Sequence, residues 1–261
     1  MKWWTLSKQI LRVIFDPPAV GAWNMAVDQA LLQSVEESGM PVVRIYGWQP
    51  ATLSLGYFQS YVDRESHSES LPCSVVRRAS GGGAILHDQE TTYSLCIPSS
   101  NRWAKQNTEV YNTVHECISE SLSDWDVEVA AFEEPQAKPE RGNGSPFLCF
   151  QRRYPGDLIF KGQKVVGSAQ RRSKTALLQH GSILWDRSLY APQLAGINDL
   201  AEQTIDTLQF AEAFVTRLSA QLEIPMQRHE MVDSVRAMAG KIMDEKFDKE
   251  SWTKSRNRDA V

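Results

Sequence analysis

The 261-residue chain lacks any apolar run near the roughly 20 residues that a membrane span needs, which excludes a helical membrane protein. Residues 1–16 hold a short apolar stretch interrupted by Arg12, with no small-residue cleavage site after it, so no signal peptide is expected. No CxxC pair joins the four cysteines, Cys73, Cys96, Cys117 and Cys149, and zinc or thioredoxin-type chemistry has no support. Basic excess is also missing: 28 Lys and Arg face 32 Asp and Glu, a net charge of −4, which argues against bulk nucleic-acid binding. There is no low-complexity tract, and 42% hydrophobic with 23% charged residues is ordinary globular composition. The reading is a soluble, cytoplasmic protein with reduced thiols and neither nucleic acid nor membrane as partner.

Helical periodicity marks 24–37, where Met25, Val27, Ala30, Leu31, Leu32 and Val35 form an apolar face before Gly39-Met40-Pro41. Short strand-like runs follow at 42–46, 52–55, 74–77, 84–86 and 92–97, and a second helix at 107–125. Residues 133–146, rich in Pro, Gly and charge, read as a surface loop. A hairpin is expected from 157–161, a Gly162-Gln163 turn and 164–169. A strand at 175–185 and helices at 211–222 and 230–243 close the chain. This order predicts an α/β (α+β) fold, a single mixed-sheet domain flanked by helices.

Two segments carry candidate chemistry. In Arg77-Arg78-Ala79-Ser80-Gly81-Gly82-Gly83-Ala84-Ile85-Leu86-His87-Asp88, three successive glycines serve either a bent turn or a bare backbone against which a ligand lies. The segment is neither a Walker A loop nor GxGxxG. In the second, Cys149 precedes Arg152-Arg153, with Lys164 15 residues on. Nearby cations favour a thiolate, so Cys149 is either a nucleophile or one more small apolar residue. A hairpin that returned Lys164 beside it would favour the former. A Cys–His hydrolase has less support, since no cysteine-protease signature surrounds Cys149.

Read together, these segments resemble the lipoate–protein ligase and octanoyltransferase family, which shares its catalytic domain with biotin–protein ligases. Asn24-Met25-Ala26-Val27-Asp28 is similar to its early helix, and Trp48-Gln49-Pro50 with Thr52 to Gln59 to its WxPxxLSLGxxQ stretch. Arg77 to Asp88 is similar to its RRxSGGGAVxHD loop. Lys164-Val165-Val166-Gly167-Ser168-Ala169-Gln170 resembles its KxxGSAQ strand, and Gln179-His180-Gly181-Ser182 its QHGS strand. The resemblance implies a biotin–protein-ligase-like fold in one domain, 1–261, with the catalytic part at about 20–247. His87-Asp88-Gln89-Glu90-Thr91-Thr92-Tyr93-Ser94 looks like the HDxELTYS pattern of the cysteine-dependent octanoyl-[acyl-carrier-protein]:protein transferases.

On that branch the resemblance makes Cys149 the acyl-thioester cysteine and Lys164 its partner. Substrate contacts are expected from Arg77, Arg78, Ser80, Gly81, Gly82, Gly83, Ala84, His87, Gly167, Ser168, Ala169, His180 and Gly181. Backbone N–H groups of 82–84 or 167–169 are candidates for an oxyanion site, and His87 for the base toward the incoming amine. The implied donor is acyl carrier protein, and the acceptor a lysine of a lipoyl domain or glycine-cleavage H protein. No cofactor is implied; ATP and Mg2+ enter only if the chain is an ATP-dependent lipoate ligase. A lipoyl amidotransferase, moving the acyl group between two acceptor proteins, and a non-catalytic acyl-carrier-binding protein also fit the motifs. The sequence departs from the transferase pattern at 151–157, Gln-Arg-Arg-Tyr-Pro-Gly-Asp. Residues 147–174 carry a net +6, leaving −10 for the rest, and such a run is either a solvated face or a surface that steers an acidic carrier.

Overall fold

The computed structural model describes residues 9–104, 107–133 and 146–256. The expected loop at 133–146 therefore lies, apart from its two ends, outside the described residues.

A strand not anticipated from the sequence, β1 (Leu11–Phe15), precedes helix α1 (Gly21–Ser38). The helix begins three residues before the apolar periodicity does. It stops where expected, because Gly39 adopts the left-handed conformation (φ 69°) and its N–H caps the Val35 carbonyl. Strands β2 (Val42–Tyr46), β3 (Thr52–Leu55), β4 (Ser74–Arg77), β5 (Ile85–His87) and β6 (Glu90–Pro98) follow, then helix α2 (Asn107–Ser123) and β7 (Ala130–Ala131). The second half holds β8 (Leu158–Phe160), β9 (Gln163–Arg172), β10 (Ala176–Leu184), α3 (Ile197–Ala201), α4 (Thr207–Leu222), β11 (Met226–Arg228), α5 (Asp233–Ile242) and α6 (Glu250–Ser255).

Eight strands form one mixed sheet in the order β11-β1-β2-β6-β10-β9-β8-β7. Strand β10 is buried at all nine positions, so both faces of the sheet are covered there. On one face Val42, Tyr46, Cys96 and Leu178 pack beneath α1 and α5. On the other Val43, Ile45, Leu95 and Ile97 pack beneath α2 and α4. The period-2 alternation of the strands thus sorts one sequence into two cores. Under α1, the Arg44 guanidinium is fully buried and binds Asp16 (2.6 Å), Asp28 (3.2 Å) and the Asn24 side chain (2.9 Å), so its charge is paired where no water reaches it.

A second, three-stranded sheet has the order β4-β3-β5, with β3 parallel to β4 and antiparallel to β5. The glycine segment is therefore not a hairpin turn. It crosses from one edge of this small sheet to the other. Its path lies directly on the backbone of Gly56: a Cβ there would sit 2.0 Å from the Gly82 carbonyl oxygen. A backbone oxygen cannot swing aside as a side-chain tip can, so Gly56→Ala is expected to destabilise the protein by about 3 kcal/mol. Denaturant unfolding checks this, and an unchanged midpoint would contradict the close approach.

A candidate active site at Cys149 and Lys164

The expected hairpin forms between β8 and β9, one residue earlier than the Gly162-Gln163 turn. Lys161 (φ 45°) and Gly162 (φ 80°) take the turn, as a two-residue turn with both residues at positive φ requires. The return brings Lys164 back to Cys149, with Nζ 3.9 Å from Sγ. The Cys149 backbone is pinned to the glycine segment, its N–H donating to the Ala84 carbonyl at 2.7 Å and the Ala84 N–H to the Phe147 carbonyl at 3.2 Å. Gly83 faces this contact, since a Cβ there would lie 3.1 Å from the Cys149 Cα. The Ala84 N–H is thereby taken and is no oxyanion donor.

Among the four cysteines only Cys149 is partly exposed. Burial pushes the other three thiols up, Cys117 to about 12. Lys164 is buried, and its ammonium binds the Asp157 carboxylate at 2.7 Å beside the rings of Phe150 and Tyr154. From sequence, Asp157 stands out only as part of the unusual 151–157 segment. A thiol beside a cation, on a half-exposed turn, is the arrangement that favours a thiolate nucleophile.

The structure arranges the other expected contacts in three groups. Arg78, His87, Ala169, His180 and Gly181 line one narrow cavity, together with Met25, Tyr46, Trp48 and Ile85. Arg78 is buried, its pKa lowered to about 10 by desolvation, and it donates to the Gly81 (2.8 Å) and Gly83 (2.6 Å) carbonyls. It therefore shapes the glycine segment and walls the cavity at once. Two imidazoles are locked in its wall. His87 Nδ1 faces Glu90 (2.8 Å) and Nε2 faces Ser54 (2.8 Å), while the ring stacks on Trp48. His180 Nδ1 donates to Asp28 (3.1 Å) and Nε2 pairs with the Ser80 hydroxyl (2.6 Å). Burial alone would raise Asp28, but the His180 hydrogen bond and the Arg44 charge hold it below the usual carboxylate range. With both nitrogens engaged, His87 is placed as a wall of the cavity and not as a free base.

Gly167 stands against Lys164: a Cβ there would meet Cε at 2.4 Å and Nζ at 2.8 Å. Arg77 points away from the cavity, to the carbonyls of Gly56, Tyr57, Gln59 and Thr253, and ties the glycine segment's base to α6.

Ser168 is turned to the opposite face from Ala169. Its hydroxyl bonds Tyr93 (2.6 Å) and His115 Nε2 (2.6 Å), and His115 Nδ1 donates to the Gly156 carbonyl (2.6 Å). Desolvation brings His115 down to about 4, so the ring is neutral and Nε2 accepts from Ser168. A wider cavity of about 680 Å³ opens on this side, between α2 and the 155–158 segment, with neither Cys149 nor Lys164 in its wall. The narrow cavity has neither residue in its wall either: Arg78, whose charge reaches Cys149, lines the narrow one, and His115, whose ring feels the Lys164 charge, lines the wide one.

The basic residues of 147–174 do not form a single free face. Arg152 donates to the Pro146 carbonyl, Arg153 to Gly162, Lys161 to Leu200 and Arg171 to Ala79, all within 2.7 Å. Arg152 and Arg153 are half-buried beside the Cys149 turn, and Lys161, Arg172 and Lys174 are exposed. No group of three or more His, Cys, Asp or Glu able to hold a metal occurs among the described residues, and none of their helices is long and apolar enough to cross a membrane.

The lipoyl protein ligase A/B catalytic domain model matches residues 21–238. The octanoyltransferase LipM of Bacillus subtilis is 34% identical, covering 96% of this chain and 100% of the relative. That of Anoxybacillus flavithermus is 31% identical, covering 95% and 99%. The fold is similar to that of Ta0514, a putative lipoate protein ligase from Thermoplasma acidophilum (TM-score 0.76, 20% identity, 94% of this chain and 99% of that one). It is also similar to lipoate-protein ligase A bound with ATP (TM-score 0.73, 19% identity, 94% and 98%). The chain belongs to the lipoyl protein ligase A/B catalytic-domain family, among relatives that are octanoyltransferases.

Proposed function

We propose that this chain is an octanoyl-[acyl-carrier-protein]:protein N-octanoyltransferase of lipoate metabolism, acting as one catalytic domain over about 20–247. The observation that carries this reading is the contact between Cys149 Sγ and Lys164 Nζ, with the Cys149 backbone seated against Gly83 and Ala84 of the glycine segment. The Cys149 thiolate attacks the carbonyl carbon of the octanoyl thioester. A C–S bond to Cys149 forms, the C–S bond to the carrier breaks, and the carrier leaves as a thiolate that takes a proton from solvent.

The amine of an acceptor lysine then attacks the same carbon, giving the amide, regenerating the Cys149 thiolate and releasing one proton. The first step exchanges one thioester for another at nearly level free energy, and the second runs downhill to an amide. Neither step needs ATP. Lys164 stabilises the thiolate and the oxyanion that forms on the acyl oxygen in each step. The octanoyl tail is assigned to the apolar wall of Met25, Trp48, Ile85, Ala169 and Gly181, where the cavity, about 20 Å³ in volume, must widen to take an eight-carbon chain. The donor is an acidic carrier protein, which Arg152 and Arg153, half-buried beside the Cys149 turn, would meet. The acceptor is a lipoyl domain or glycine-cleavage H protein.

Purified protein mixed with octanoyl-carrier protein and a lipoyl domain, without ATP, is expected to yield octanoylated domain. Transfer that requires free octanoate and ATP and passes through an acyl-adenylate would instead establish a ligase.

A further inference from the structure

We propose that Asp157 is a third member of this site, a positioning residue that keeps Lys164 charged and aimed at Cys149; the inference rests on the reading of Cys149 as the acyl-carrying nucleophile. The side chains of Lys164 and Asp157 are each 2% exposed and 2.7 Å apart. An ammonium enclosed to that degree gives up its proton unless a counter-charge is supplied. The groups that face Nζ are Cys149 and Phe150 from the turn before β8, Tyr154 and Asp157 from the 154–157 turn, and His115 and Tyr111 from α2. His115 is neutral, Tyr111 is a phenol whose ionisation burial suppresses, and Arg78 adds a second cation near Cys149. Asp157 is the one carboxylate within 4 Å of Nζ among the described residues.

The carboxylate is held from several sides. Tyr111 donates to Oδ1 (2.9 Å), and the Tyr154 N–H and Lys164 donate to Oδ2 (both 2.7 Å). The backbone around it is a reversal over 154–157, closed by the Asp157 N–H on the Tyr154 carbonyl (3.0 Å), with Pro155 and Gly156 at its centre and Gly156 at φ +91°. Those are the residues and the positive φ of a type II turn. The Gly156 N–H and the Asp157 carbonyl pair with Phe132. The Pro-Gly-Asp departure at 151–157 thus has a physical meaning: it is a turn that delivers a carboxylate to the catalytic lysine. The carboxylate's own charge opposes a thiolate, but the ammonium it retains is the group in contact with Sγ, and losing that contact charge is the larger effect.

The test follows Cys149 alkylation by iodoacetamide on the Cys149 peptide, from mildly acidic to alkaline pH, in the full chain. Asp157→Asn is expected to slow alkylation about tenfold at neutral pH and to displace the profile to higher pH, alongside Lys164→Ala. Asp157→Glu, which restores the charge, is expected to move the profile back toward the wild type. An Asp157→Asn profile that superimposes on the wild type's or moves to lower pH overturns the proposal, and so does a Lys164→Ala profile that does not move. A second measurement needs no variant at position 157. In wild-type protein carrying 13Cε-lysine, the resonance that Lys164→Ala removes is expected to be that of an ammonium at neutral pH, and an uncharged amine overturns the proposal. Neither readout involves octanoyl transfer, so the acyl-enzyme reading stands or falls separately, on the mass of the enzyme after exposure to donor.

Discussion

Cys149→Ala is expected to reduce octanoyl transfer by about three orders of magnitude or more while leaving the fold intact. The other three cysteines cannot substitute, because each is buried in a core and its thiol is pushed up by that burial. Cys149 is half-exposed on a short turn, so removal of its sulfur should cost about 1 kcal/mol of stability at most. A variant with wild-type unfolding behaviour and lost transfer separates chemistry from structure. If the alanine variant transferred at the normal rate, the covalent route would be wrong.

Gly167→Ala is expected to have the second-largest effect, and by a different path from Gly56→Ala. The added methyl group at 167 meets the end of the Lys164 side chain, at 2.4 and 2.8 Å, not a backbone atom. A flexible arm yields where a carbonyl does not, so the sheet should hold and the unfolding midpoint should change little. The ammonium, however, must leave its place between Asp157 and Cys149. A displacement of about 1 Å at such a group costs about a hundredfold in rate. The measurement is single-turnover transfer beside thermal unfolding. Lost stability with retained activity per folded molecule would show that position 167 matters only for packing.

Much of this was legible in the sequence, for reasons that differ by element. The α1 face and its Gly39 stop are periodic and punctuated, and β2, β3 and β4 fall at the expected bounds because turn residues flank each one. Strand β1 was hidden. Its five residues pair with β2 and β11, and only those distant partners give Leu11, Val13 and Ile14 a reason to be extended. Strands β7 and β11, of two and three exposed residues, carry no pattern to read.

At the site, Cys149 and Lys164 were found through their spacing and the family's motifs, and the hairpin between them carries that spacing into contact. Gly167, Ser168 and Ala169 are neighbours in the motif but not on the strand's faces, because alternation puts Ser168 on the α2 face with His115. His115 itself looked like any polar residue of a helix, and only the tertiary chain through Tyr93 and Ser168 distinguishes it. Pro155-Gly156 spells a turn, but nothing local says that the turn aims Asp157 at a lysine seven residues later.

The central claim is that Cys149 carries the acyl group. Intact-mass analysis of the protein after mixing with octanoyl-carrier protein, without ATP or acceptor, tests it most directly. A single added octanoyl unit, located on the Cys149 peptide and absent from Cys149→Ala, is the predicted result. An enzyme that stays unmodified while octanoylated acceptor accumulates would contradict the account.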